Sequence, residues 1–224
     1  MRRTPVLAIL LLATGLYGQE RPPRPARTAP PAATSEEREI VLEIQRIRSH
    51  PKDYAAYLRA LGRYFSGTLW RLPNRVPLRT QEGAAALDEA VRFLEQVTPI
   101  TTPMTFSEGL HRAARDHVLD QGPSGRIGHG GTDGSTLATR TARHGVRGDL
   151  MGEVINYGPE TPRMTILQLV IDDGVEGRGH RKSLFNPGFH TAGAAIGFHR
   201  EYDVMTVVDL ADRFDPPAPP LPPR

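Results

Sequence analysis

Apolar residues recur first at helical spacing and, near the C-terminus, in strand-like runs. In SEEREIVLEIQRIRSH, Ile40, Ile44 and Ile47 line one face behind Thr34 and Glu37, a pair that forms a capping box and predicts the first helix of a folded domain. Residues 51–65 repeat the pattern with Tyr54, Leu58 and Leu61. Residues 66–80 (SGTLWRLPNRVPLRT) hold glycine, two prolines and the only tryptophan, which predicts a loop anchored by Trp70. A third helix is expected from about 81 to 97, with Leu87, Val91 and Leu94 inward. Ser107 caps a fourth, EGLHRAARDHVLDQG, on which Leu110, Ala114 and His117 share the inner face.

The glycines of GRIGHGGTDGSTLATRTARHG predict an open loop around His129, then a short helix capped by Asp133 or Ser135 and ended by Gly145. MGEVINYG predicts a short strand over 153–157. The following stretch, TPRMTILQLVIDDGVEGRGHRKSLFNP, opens with Thr161 as N-cap and Pro162 at the first helical position, and Gly174 suits a left-handed C-terminal cap. At 100° per residue Ile166, Leu169, Val170 and Asp173 share a face, with Asp172 turned away. A carboxylate ending an apolar stripe must reach solvent or meet a cation, a donor or a metal. His180 is its nearest candidate in sequence. The last apolar runs, TAGAAIGF (191–198) and VMTVVDLA (204–211), are joined by HREYD and predict an antiparallel hairpin. Helices first and a hairpin last argue for an α+β domain with helices covering a sheet.

The ends differ from this interior. Residues 1–18, with a basic start, a short apolar run and small residues near Gly15 and Gly18, have the pattern of a secretory signal peptide, and the run is too short for a membrane span. That predicts a secreted or periplasmic product with no transmembrane segment in the mature chain. Residues 19–34 are a Pro/Arg-rich linker and 215–224 a proline-rich tail, leaving 35–214 as the domain. The sequence contains no cysteine, which excludes disulfides, a thiol nucleophile and Cys-ligated zinc. The formal charge of +3 owes something to Arg2, Arg3 and the linker arginines, and no basic stripe with interleaved aromatics indicates nucleic acid.

The order AARDHVLDQG, GHGGTDGS, GEVINYG, QLVIDD, GHRKSLFNP and a hairpin ending in VVDLA resembles the CAP superfamily: the cysteine-rich secretory, antigen 5 and pathogenesis-related 1 proteins, or SCP domain, with cysteine-free bacterial relatives. The resemblance spans roughly 36–214. It implies a three-layer α-β-α sandwich whose cleft is lined by two histidines and two acidic residues that bind a divalent metal in some members. Carried over, those positions are His129 of GHGG, Glu153 in the place of the family's G-E-N, Asp173 where the family has W-x-x-E, and His180 of GHR. Val154 replaces the family's Asn, Val170 its Trp, and Asp173 is a methylene shorter than Glu. Residues 51–103 are longer than the usual family connection and have no assigned role.

Two imidazoles and two carboxylates suit Zn²⁺ or another divalent ion, with His129 and His180 as direct ligands and the acids either binding too or orienting the rings from behind. His117, Asp172 and Arg181 are expected around this tetrad. Arg181 and Lys182 either contact an anionic ligand or face water. No organic cofactor is indicated. The resemblance implies a secreted module that binds a small lipid-like ligand or an envelope or extracellular partner. The alternative is a metal-dependent, peptidase-like hydrolase using a metal-bound water, although H-E-x-x-H and G-x-S-x-G are both missing from the sequence.

Overall fold

The computed structural model describes residues 31–217. The expected signal peptide, most of the linker and most of the proline-rich tail lie outside the described residues. Helices α1 (Ser35–Ser49) and α2 (Pro51–Gly62) come first; the Thr34–Glu37 capping box forms at the head of α1. The segment expected as a loop over 66–80 instead folds into three two-residue strands, β1 (Phe65–Ser66), β2 (Leu69–Trp70) and β3 (Leu78–Arg79), paired antiparallel in the order β1-β2-β3. Trp70 anchors it as expected, stacked on Phe65 at 5.2 Å and donating its indole N–H to Leu61 O. Short strands with proline between them carry too little alternation to announce themselves.

Next come α3 (Ala84–Gln96), β4 (Thr105–Phe106) and α4 (Glu108–Ser124), the last capped by Ser107 and closed by left-handed Gly125. Helix α5 (Leu137–Ala142) is capped by Thr136, not Asp133 or Ser135, and ends before Gly145, because Thr136 and Thr139 make their own reciprocal box. The chain continues through β5 (Val146–Arg147), β6 (Met151–Tyr157), α6 (Pro162–Ile171), α7 (Gly179–Leu184), β7 (Thr191–His199), β8 (Asp203–Ala211) and β9 (Phe214–Asp215).

The main sheet has the order β4-β7-β8-β6, with β4 parallel to β7 and the rest antiparallel, and β6 at its edge. One face packs on α4 through Ala114, Val118, Ile155, Ala195, Met205 and Val207. The other face is covered by α1 and α6, where Ile40, Ile44, Ile166, Val170, Val154, Ala194 and Val208 share the larger core. The result is the three-layer α-β-α arrangement. Gly193 explains how close α4 lies: a Cβ there would overlap the backbone of Leu110 and His111. Among the described residues no helix is long and apolar enough to cross a membrane.

Candidate functional site

Helix α6 is buried on nearly every side, from Met164 to Ile171, so its apolar residues mark no single face. It stops at Ile171, and Asp172 takes a left-handed conformation (φ 58°, ψ 43°) as its cap. This break in helical geometry corrects the expected orientation of the acidic pair. Asp172, 2 % exposed, turns inward. Its Oδ1 accepts from His180 Nδ1 at 2.7 Å, and its Oδ2 accepts from the amides of His180 and Arg181 at 2.8 and 3.2 Å. Asp173 turns away from His180 and accepts from the amides of Gln81 and Glu82 at 2.7 and 2.9 Å. The cleft therefore joins His129, Glu153, Asp172 and His180, while Asp173 fastens the start of α3.

His129 stands on the glycine-rich loop after α4. Its Nδ1 meets Glu153 Oε1 of β6 at 2.8 Å, and the other Glu153 oxygen accepts from Arg140 of α5 at 2.6 Å. The loop is pinned at several backbone points: His117 Nε2 and Gln121 Nε2 donate to Gly128 O at 3.0 and 2.8 Å, the Gly128 amide donates to Tyr157 Oη, and Arg140 donates to His129 O. His117 supports the loop from within, and burial holds its pKa below the ordinary histidine value. The Glu153 hydrogen bond raises that of His129 against the opposing effect of burial. The rings of His129 and His180 lie 6.5 Å apart, centroid to centroid. Each gives Nδ1 to a buried carboxylate and keeps Nε2 without a protein partner among the described residues.

Arg181, whose amide donates to Asp172, does not face water. It is 4 % exposed and donates to the carbonyls of Val170 and Ile171 and to Glu89, closing the C-terminal end of α6. Arg140 and Asp209 are the residues that sequence reasoning missed. Asp209 sits opposite Glu153 in the β6–β8 register, fully buried with no hydrogen-bond partner for either oxygen. Burial, followed by the Glu153 charge, raises its pKa well above the ordinary carboxylate value. An acid inside the apolar run VMTVVDLA was the available signal for it. Among the described residues no group of three or more His, Cys, Asp or Glu side chains is arranged to hold a metal ion.

Residues 101–210 match the family model described as CAP, the cysteine-rich secretory protein family. The chain is similar to an outer surface protein from Borrelia burgdorferi, with 19% identity and a TM-score of 0.41 over 50% of this chain and 78% of that one. It is also similar to an extracellular protein containing a SCP domain from Bacillus anthracis str. Ames, with 20% identity and a TM-score of 0.37 over 48% and 33%. No curated protein matches the chain.

Proposed function

With residues 101–210 belonging to the CAP, or cysteine-rich secretory protein, family as the premise, we propose that this chain acts outside the cytoplasm as a binding module whose cleft, between His129 and His180, takes a divalent metal ion together with a ligand or partner. The observation that carries this reading is the pair of carboxylate-backed imidazoles: Glu153 behind His129 at 2.8 Å and Asp172 behind His180 at 2.7 Å. A carboxylate accepting from Nδ1 fixes the tautomer with a lone pair on Nε2 and raises that nitrogen's basicity.

The donor set fits a borderline ion such as Zn²⁺ held by His129 and His180, with Glu153 and Asp172 orienting the rings. All four carboxylate oxygens are engaged by imidazole, guanidinium or amide donors, so the ion's remaining positions would fall to water or to the ligand. A bound ion would supply a Lewis-acidic contact for an oxygen of that ligand. The same engagement removes Glu153 and Asp172 as general bases, and no hydroxyl is bonded to either imidazole among the described residues, so the geometry favours binding over hydrolysis. Secretion rests on the pattern of residues 1–18.

Calorimetric titration of zinc into chelator-treated protein, beside a folded His129→Ala/His180→Ala variant, tests the metal reading. Micromolar or tighter binding lost in the variant is expected. Equal binding by both proteins, or none by the wild type, would overturn it.

A further inference from the structure

Beside His180 a groove runs along the open edge of β6. One lobe, of about 270 Å³, is lined on one side by Phe65, Trp70, Leu78 and Arg79 of the β1–β3 segment and on the other by Ile155, Asn156 and Tyr157. A second lobe of about 310 Å³ shares Trp70, Leu78, Tyr157 and Gln168 with the first and continues it past Gly158. Ile155 and Tyr157 point to one face of the sheet and Asn156 to the other, so a groove touching all three lies along the strand's edge rather than on a face.

The direction of the backbone follows from the ladder. The Gly158 amide donates to Val204 O at 2.8 Å, and the Asp212 amide donates to Leu150 O at 3.2 Å. In the register Tyr157↔Met205 to Met151↔Ala211, residues 152, 154 and 156 therefore pair with β8, and the N–H and C=O groups of 153, 155 and 157 point outward. Glu153 fits this: its side chain is 2 % exposed, yet the residue as a whole is half-buried, so the area it shows to solvent is main chain. Among the described residues no backbone hydrogen bond joins β6 to the β1–β3 segment.

We propose that this groove binds an extended peptide carrying an acidic side chain, added as a strand to the free edge of β6 beside the two-histidine cleft. A hydrocarbon ligand would fill the groove without offering hydrogen bonds to the outward main-chain groups of Ile155 and Tyr157, the two such residues that line it, at about 1–3 kcal/mol each. A peptide backbone satisfies them in the same spacing, and alternate side chains enter the apolar walls. The charge of the occupant follows from the lining. Asp172 and Asp173 are committed to His180 and to the Gln81 and Glu82 amides, whereas exposed Arg79 has no acidic partner among the described residues. The opposite wall is held ready: Asp173 fixes residues 81 and 82, and Arg178 joins Glu82 and Glu89 at 2.6 Å. This inference rests on the binding role proposed for the cleft and names the class of its partner.

The test is affinity-selection mass spectrometry on the full chain with two pools of acetylated, amidated octapeptides, randomised apart from a central Glu or Lys, followed by resynthesis of selected peptides with alternate backbone amides N-methylated. The Glu pool should be retained about tenfold over the Lys pool, Arg79→Glu should invert that preference, and N-methylation should weaken binding about tenfold or more. No retention of either pool, or retention indifferent to Arg79→Glu and to N-methylation, would overturn the proposal. His129→Ala separates the two readings, because His129 does not line the groove. Peptide retained by a variant that has lost zinc leaves the groove standing alone, and zinc bound without peptide leaves the metal cleft standing alone.

Discussion

At the scale of single residues, Asp172 takes the place beside His180 that helical spacing gave to Asp173, and Asp173 instead holds the start of α3. Periodicity extrapolates a helix beyond its real end, and one left-handed residue rotates the next side chains to new directions. Asp172→Ala should lower zinc affinity by roughly 10–100-fold through the loss of ring orientation. Asp173→Ala should leave zinc affinity unchanged and cost about 1 kcal/mol of stability, as the loss of a helix-start acceptor does. Calorimetry and denaturant melts on both variants check this, and the opposite assignment of effects would restore the periodicity argument. His129, Glu153 and His180 were legible because their motifs are local. Arg140 and Asp209 were not, since only the fold brings α5 and β8 under Glu153.

Asp209 also sets a pH dependence. Its folded pKa is raised, so the unfolded chain releases this proton at lower pH than the folded one, and the residue opposes folding increasingly as pH rises above its ordinary value near 3.8. Asp209→Asn keeps the shape without the titration. The variant should therefore match or exceed wild-type Tm at pH 8, with its advantage shrinking toward pH 4. A variant that loses stability equally at both pH values would show that Asp209 is ionised in the fold.

At the scale of elements, the long segment before Pro103 gains a place. The β1–β3 segment and the Thr80–Gly83 turn that leads into α3 form the far wall of the groove, and α3 is joined to the turn that carries His180 by Asp173, Glu82, Glu89 and Arg178. Helices α1 to α4 and the β7–β8 hairpin were readable from apolar periodicity and caps. The small strands were not, because pairs of two residues have no period to read and depend on the anchor at Trp70. The Arg178 guanidinium, followed by the Gly174 amide, draws the Glu82 carboxyl down to about 2 from an ordinary 4.5. A depressed acid contributes stability above its unfolded pKa and loses it as pH falls toward the folded one. Amide protection, measured against the unstructured chain at the same pH, should therefore fall in residues 78–83 and 172–178 between about pH 4.5 and 2, and Glu82→Gln should show that lower protection already at neutral pH. Unchanged protection across that window would mean the junction does not depend on the ion pairs.

At the scale of the molecule, the sheet lies between two helical layers, and its open edge strand sits where the layers part. His129 approaches that edge from the α4 side and His180 from the α6 side, each backed by a carboxylate. The signal-peptide-like pattern of residues 1–18 supports the proposed action outside the cytoplasm. The most direct measurement of this account is the tautomer and metal response of the two cleft imidazoles, read by long-range nitrogen–proton correlation NMR near pH 8 before and after adding zinc. The account predicts that His129 and His180 both carry the proton on Nδ1, leave Nε2 bare, and shift together at Nε2 when zinc is added. Protons on Nε2, or rings that zinc leaves unshifted, would contradict it.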